Sequence, residues 1–123
     1  MKNIKKFLFL IFFIPLMFQA NEAEAQFTTK LRLTVLDDLG NTVEGAEVTL
    51  YKTKTDYEKE VNAVQETVLT DEKGRVTFKK LEAISYYVIV RKGDMNNQGG
   101  GEIISALEPK KLNKANVIIT DDI

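Results

Sequence analysis

The chain has 123 residues and contains neither histidine nor cysteine. The missing histidine excludes Ser-His-Asp and Cys-His catalysis and histidine-bound zinc, and the missing cysteine excludes disulfides, thiolate nucleophiles and iron–sulfur clusters. With 17 basic and 18 acidic residues, the chain also lacks the basic excess of a nucleic-acid-binding protein. The composition therefore favours a binding or structural protein without a cofactor, and not an enzyme.

Residues 1–25 have the pattern of a secretory signal peptide. Three lysines precede an apolar run, 7–18, which is shorter than the roughly 20 residues of a membrane-spanning helix. Small residues then lead to the bond between Ala25 and Gln26, where we predict cleavage. We expect a mature domain of residues 26–123, secreted through the general secretory pathway to the periplasm or the cell exterior and not spanning a membrane. A retained N-terminal anchor is the alternative.

The first half of the mature chain predicts two half-buried strands. In 30–36, leucine and valine alternate with charged and polar residues, and 46–51 repeats this period of two. The turn formers of 37–41 separate them. The charged stretch 53–62 that follows lacks a sustained period, so we expect a solvent-exposed excursion with room for one helical turn.

Three further strands are predicted in the middle of the chain. Residues 64–70 and 75–79 are joined by a hairpin turn, Asp71–Gly74, and Val76 and Phe78 should point inward. The stretch 86–90 is the richest in β-forming residues and predicts a central strand that is buried on both faces.

The C-terminal part predicts a loop and two last strands. Residues 93–101 are rich in glycine, asparagine and glutamine, so we expect a mobile loop there, and strands should follow at 102–107 and 115–120. The whole pattern predicts one all-β domain, a seven-stranded antiparallel β-sandwich.

Two glycine-containing motifs carry a resemblance to a known family. The first is Val35-x-Asp37-x-x-Gly40-x-x-Val43-x-Gly45-Ala46-x-Val48-x-Leu50, and the second is Thr70-Asp71-x-x-Gly74-x-Val76-x-Phe78-x-x-Leu81. Gly40 and Gly74 would supply positive φ in tight turns. Over residues 29–93 the chain resembles carboxypeptidase regulatory-like domains, which are transthyretin-like sandwiches related to the B-type repeats of collagen adhesins.

The resemblance implies a prealbumin-like, immunoglobulin-like Greek key with a core closed by Phe78, Leu81 and Tyr87. It also implies a non-catalytic module, often attached to peptidases or to outer-membrane transporters. The enzymes of similar shape, hydroxyisourate hydrolases and intradiol dioxygenases, depend on histidine, so neither activity fits. An enzyme acting through two carboxylates, such as Glu47 and Glu102, is a remote alternative.

An isopeptide bond and a calcium site are two further hypotheses, and each has a simpler alternative. Adhesin repeats often contain a Lys–Asn isopeptide bond, for which Lys30 and Asn116 would be the partners, although Arg91 occupies the place expected for the relay acid. Two turns carry oxygen ligands that could hold calcium weakly. The first turn has Asp37, Asp38 and Asn41, and the second has Asp94, Asn96 and Asn97. Aspartate and asparagine are common turn formers, so an ordinary turn-forming role is favoured for both sets.

Candidate binding residues lie on tyrosine-bearing strands and on the glycine-rich loop. Rigid sandwiches commonly bind through their loops, and tyrosine can stack on a sugar. The candidate surface consists of Tyr51, Tyr57, Asp94, Asn96, Asn97, Gly99, Gly100 and Gly101. We expect an envelope or extracellular protein as the partner, with a glycan or another small ligand bound by exposed tyrosines as the alternative, and no nucleic acid.

Overall fold

The computed structural model describes residues 28–99 and 101–121, in which two β-sheets pack face to face around one apolar core. One short helix, α1, follows the second strand at Lys54–Lys59. The strands are β1 (Thr29–Leu36), β2 (Glu47–Tyr51), β3 (Val68–Leu69), β4 (Arg75–Leu81), β5 (Tyr86–Lys92), β6 (Met95–Asn96), β7 (Ile103–Ile104), β8 (Leu112–Ile118) and β9 (Thr120–Asp121).

The predicted all-β sandwich is confirmed, but seven strands were predicted and the described residues form nine, four of which have only two residues. One strand pair also differs in direction. The first sheet has the order β4-β1-β8, and the second has the order β3-β2-β5-β6-β9 with β7 also paired to β5. Strands β1 and β8 run parallel, whereas the sequence predicted antiparallel sheets throughout. Side chains alternate with the same period in both directions, so the sequence pattern does not distinguish them.

Several predicted strands have different bounds in the structure. Of 64–70 only Val68–Leu69 is a strand, and of 102–107 only Ile103–Ile104. The last strand begins three residues earlier than predicted, at Leu112, and after Ile119 the chain crosses to the other sheet as β9. The loop predicted at 93–101 contains strand β6, which pairs with both β5 and β9.

The core lies between the sheets and follows the predicted alternation. Leu31, Leu33 and Val35 of β1 are fully buried, and Phe78 of the neighbouring strand β4 lies beside Leu31 on the same face of the first sheet. Each such side chain contributes roughly 1.5–3 kcal/mol through removal from water. Tyr87 was predicted to close this core, but its neighbour Tyr86 does so, with its hydroxyl donating to the Glu82 carbonyl at 2.8 Å.

Strand β5 is central, as predicted, but its two faces differ. It pairs with β2 on one side and with β6 and β7 on the other. Tyr86, Val88 and Val90 are fully buried on the core face, whereas Tyr87 and Ile89 on the outer face are half-buried. The outer face of β5 is therefore the floor of an accessible surface.

The predicted signal peptide and its cleavage bond, Ala25–Gln26, lie outside the described residues. Within 28–99 and 101–121, no helix is long and apolar enough to cross a membrane.

Candidate binding surface

Helix α1 lies against the outer face of the second sheet and shapes the surface there. Thr53 caps its first turn, because the Thr53 hydroxyl accepts the N–H of Asp56 at 3.1 Å. Glu60 ends the helix in a left-handed conformation, with φ of 52°. The excursion predicted at 53–62 thus contains one defined helix that is fixed over β2 and β5.

Three tyrosines join the helix to the sheet. The Tyr57 ring stacks on Tyr87, with centroids 5.4 Å apart, and it meets Tyr51 edge-on at 6.3 Å. Tyr51 is consequently only 5% exposed, so the expectation of an exposed ring at this position is wrong. Burial raises the pKa of Tyr51 and of Tyr57, and both phenols therefore stay neutral at physiological pH.

An ion pair fixes the C-terminal end of the helix beside the tyrosines. Arg91 of β5 donates to both carboxylate oxygens of Glu60, at 2.6 and 3.0 Å. This two-pronged hydrogen bond lowers the pKa of Glu60 and raises that of Arg91. We call the surface formed by Tyr51, Tyr57, Tyr87, Glu60 and Arg91 the tyrosine–arginine face.

Replacing Glu60 with glutamine should change the acid dependence of stability. The pKa of Glu60 is below its ordinary 4.5 in the folded state, so its carboxylate stabilises the fold above pH 4.5, and this is lost as the pH falls through the folded-state pKa. Since both side chains are nearly half exposed, we expect Glu60→Gln to lose at most about 1 kcal/mol at pH 7. Urea unfolding between pH 7 and pH 3 measures this difference, which should shrink toward zero at the acid end.

Glu58→Gln is the matched control for that measurement, because Glu58 lies on the same helix and pairs with Lys54 at 3.8 Å. A Glu60→Gln profile that runs parallel to the wild-type profile across the whole range would contradict the assigned role of the ion pair.

Two shallow depressions flank the ion pair, and both are lined by Glu60, Ile89 and Arg91. The larger, about 230 Å³, adds Tyr57, Glu58, Asn96, Asn97 and Gln98. The smaller, about 150 Å³, adds Glu47, Thr49, Tyr51 and Thr67. The structure thus brings three of the predicted binding residues, Tyr57, Asn96 and Asn97, into one place.

Asn97 has a structural role at this site. It is 3% exposed; its Oδ1 accepts the Val90 N–H at 3.0 Å, and its Nδ2 donates to the Val88 carbonyl at 2.9 Å. The amide therefore makes hydrogen bonds to the main chain of β5 between the points where β6 and β7 pair with it, as the backbone of a neighbouring strand would. The Asn97 amide is thus already hydrogen-bonded to β5, whereas its neighbours Asn96 and Gln98, which line the same depression, make no such bond to β5 through their side chains in the described part of the chain.

The other predicted loop residues lie elsewhere. Asp94 is exposed in the β5–β6 turn and lines neither depression. Gly99 and Gly101 line a separate groove of about 440 Å³ beside β8, and Gly100 is outside the described residues. The Gly99 N–H donates to the Glu102 carboxylate at 2.7 Å.

The geometry favours turn-forming roles for the candidate calcium ligands. Asp37 Oδ1 accepts the N–H groups of Leu39 and Asn41, at 3.0 and 2.8 Å. Asn96 Oδ1 likewise accepts the Gln98 N–H at 2.9 Å. Across the part of the chain that the structure describes, no three acidic side chains gather as a metal site.

The structure separates the partners of the two remaining chemical hypotheses. Lys30 pairs with Leu112 and Asn116 pairs with Thr34, so the cross-link partners are four residues, about 13 Å, apart along the strand. Glu47 is on β2, which pairs with one side of β5. The Glu102 carbonyl accepts the Val88 N–H on the opposite side of β5. The isopeptide bond therefore does not fit, and the main chains of Glu47 and Glu102 lie on opposite sides of β5.

Glu60, Tyr87 and Arg91 are the residues of the tyrosine–arginine face that the sequence did not indicate. Tyr87 was expected in the core, Arg91 occupied the place of a relay acid, and Glu60 was one charge in a charged stretch. The Glu60–Arg91 pair joins residues 31 positions apart, so the register of β2 against β5 and the length of α1 had to be known first.

The comparisons with known proteins agree with this architecture. No curated protein sequence matches the chain. Among solved structures, the group B streptococcus pilus 2b backbone protein superposes with a TM-score of 0.56 at 16% identity, covering 76% of this chain and 41% of that one. The streptococcal ancillary pilin gives 0.58 at 18% identity, covering 77% and 33%, and BcpA, the major pilin subunit of Bacillus cereus, gives 0.54 at 17%, covering 77% and 30%.

These likenesses show the fold, and the chain spans at most 41% of the length of these three proteins. The family model of the SpaA prealbumin-like fold domain matches residues 29–90, half of the chain. That stretch runs from β1 almost to the end of β5 and includes both glycine-containing motifs. The chain belongs to the SpaA prealbumin-like fold domain family.

Proposed function

We propose that this chain is a secreted, non-catalytic β-sandwich module that binds another protein of the cell envelope or of a surface fibre. The tyrosine–arginine face is the observation that carries the proposal. Stacked rings and a two-pronged ion pair hold helix α1 in one position. A surface ordered in advance loses less conformational entropy on binding. Tyrosine and arginine are also the residues that protein interfaces favour.

The pilus subunits of similar fold support the general setting of this proposal. The solved structures reported above are backbone, ancillary and major pilins, in which a prealbumin-like domain is part of a larger protein. Export through the predicted signal peptide would place this chain in the same kind of environment.

A protein fits the surface better than a stacked sugar ring. Tyr87 is covered by Tyr57, and Tyr51 is buried behind Tyr57, so the ring faces are largely occupied by one another. A sugar needs an open ring face. Around the ion pair lie the exposed Glu58 and Gln98 and the half-buried Asn96, which are instead charged or amide side chains suited to a polar protein surface.

Glycan binding is the second candidate, and the larger depression supports it. Its volume of about 230 Å³ is below the usual range for drug-sized ligands, so only a small group such as one sugar ring would fit. Its lining combines Tyr57 with the amides of Asn96 and Gln98. An amide next to a half-buried ring could hold the hydroxyls of one terminal sugar.

A site-specific photo-cross-linker tests the main proposal in the producing cell. The probe residue replaces Glu58, which lines the larger depression, and in the control it replaces Lys73, which is exposed in the β3–β4 turn. We expect Glu58, and not Lys73, to cross-link to one defined envelope protein. Equal products from both positions, or none from Glu58, would overturn the proposal.

Two further measurements complete the test. The mass of the exported chain should correspond to a start at Gln26, and an intact N-terminus on the exported protein would contradict the predicted secretion route. Glycan-array binding that is lost in Gln98→Ala would replace the protein-binding proposal with the glycan one.

A further inference from the structure

Strand β8 is a long open edge of the first sheet. It has seven residues, and among the described residues it pairs with β1 alone. The opposite edge, β4, is protected, because the Gln65 amide donates to the Lys79 carbonyl at 2.7 Å and Lys80, with a φ of 55°, lies at a β-bulge. Open edges of this length attract another strand unless they are blocked.

The hydrogen bonds to β1 define which main-chain groups of β8 face outward. Lys30 N–H donates to the Lys111 carbonyl at 3.0 Å, and Ile119 N–H donates to the Leu36 carbonyl at 2.9 Å. Since successive residues point to opposite sides, the odd-numbered residues of β8 face β1. The even-numbered ones face away, and within 28–99 and 101–121 they have no main-chain partner: Leu112, Lys114, Asn116 and Ile118.

We propose that this edge binds the same edge of a second copy of the chain, as an antiparallel β8–β8 pair with its two-fold axis at Ala115. In that register Leu112 lies opposite the partner's Ile118, and Lys114 lies opposite the partner's Asn116. Every outward N–H and carbonyl of both strands then has a partner, and the two three-stranded sheets become one sheet of six strands.

Charge selects this register over its neighbours. A shift of two residues in one direction places Lys114 opposite the partner's Lys114, which is unfavourable for like charges across a strand pair. A shift of two in the other direction leaves Leu112 beyond the end of the partner strand. The register centred on Ala115 has neither fault.

The side chains on both faces also suit this pairing. Ile118 is 51% exposed, and the pairing covers it with the partner's Leu112. Beside β8, a groove of about 330 Å³ runs between residues 103–107 and residues 113–116, so there is room for incoming side chains. At the two-fold axis, where strands come closest, the small Ala115 avoids a clash.

The proposed dimer goes beyond the proposed envelope interaction and does not depend on it. The β8 edge belongs to the first sheet, whereas the tyrosine–arginine face belongs to the second. Loss of one contact therefore leaves the other intact, and the two failures can be told apart.

Disulfide trapping tests the register directly, because the sequence contains no cysteine. At the two-fold axis the two Cα atoms should be about 4.5 Å apart, within disulfide range. We expect Ala115→Cys to give a covalent dimer under mild oxidation. Lys114→Cys and Asn116→Cys should not, since each would lie about 8 Å from its own copy. Efficient dimers from either control, or none from Ala115→Cys, would overturn the proposal.

A charge exchange tests it without a cross-link. Asn116→Lys places two like-charge pairs across the strands and should weaken the dimer about tenfold, as measured by sedimentation equilibrium. Lys114→Glu combined with Asn116→Lys places opposite charges there and should restore it. Both side chains are exposed, so circular dichroism should show folded variants. A wild-type chain that stays monomeric at millimolar concentration, or an unchanged dimer in Asn116→Lys, would refute the pairing.

Discussion

Gly74→Ala is expected to lower the free energy of unfolding by about 3 kcal/mol, which corresponds to a fall in melting temperature of about 15 °C for a domain of this size. Gly74 ends the β3–β4 turn with φ of 74°, and it is buried. An added Cβ would lie 2.9 Å from Thr42 Cβ and 3.0 Å from both the Val35 carbonyl oxygen and the Val43 nitrogen.

The large effect follows from what these neighbours do. The Gly74 carbonyl accepts the Val35 N–H at 2.7 Å, and Val43 N–H donates to the Val35 carbonyl at 3.0 Å. Main-chain atoms held by hydrogen bonds cannot give way as a flexible side chain can. The left-handed conformation costs roughly 1–2 kcal/mol, and the forced displacement adds a similar amount.

Gly40→Ala separates the two contributions. Gly40 has a φ of 86°, but nothing lies within 4 Å of an added Cβ. Only the conformational cost applies, so we expect a loss of about 1 kcal/mol. Urea unfolding of both variants measures the difference. Equal losses would show that crowding at Gly74 contributes nothing.

The strands with regular alternation could be predicted from the sequence. In β1 and β2 the residues that alternate with polar ones, Leu31, Leu33, Val35, Val48 and Leu50, are buried as the alternation predicts. The positive φ of Gly40 and Gly74 was also predictable, because each glycine ends a run of turn-forming residues and glycine adopts this conformation without steric cost.

The burial of Tyr51 could not be predicted in this way. By alternation Tyr51 belongs to the outer face of β2, and it is on that face. Its exposure is decided by Tyr57, which a six-residue helix places over it. A helix of six residues has no recognisable hydrophobic period, so the sequence does not predict that Tyr57 covers Tyr51.

The hidden strand β6 has a related cause. Residues 93–101 have the composition of a loop, yet Met95 and Asn96 pair with Lys92 and Arg91. The side chain of Asn97 continues the pairing along β5. The composition of a segment indicates which backbone conformation it prefers. It does not show that a side-chain amide can make the hydrogen bonds to β5 that the main chain of a neighbouring strand would make.

Asn97→Asp is expected to be the other strongly destabilising change, with a loss of about 3 kcal/mol at pH 7. The substitution keeps the size of the side chain and the acceptor for Val90 N–H. It replaces the Nδ2 donor with an oxygen that faces the carbonyls of Val88 and Gly101, now 2.9 and 3.3 Å from Nδ2. A carboxylate buried against two carbonyls loses its hydration without compensation.

The pH dependence of this loss distinguishes its cause. Burial against carbonyl oxygens would raise the pKa of the new carboxyl above its unfolded value, so the penalty is present at high pH and is relieved as the pH falls through the folded-state pKa. A protonated carboxyl can also donate to one of the carbonyls. Asn97→Ala is the control: it leaves the same backbone groups unpaired but carries no charge, and its loss of about 2 kcal/mol should not vary with pH. Urea unfolding of both variants against wild type at pH 7.5 and pH 5 measures both quantities. If the Asn97→Asp penalty stays constant between these pH values, or if either variant is as stable as wild type, the Asn97 amide does not hold the edge of β5.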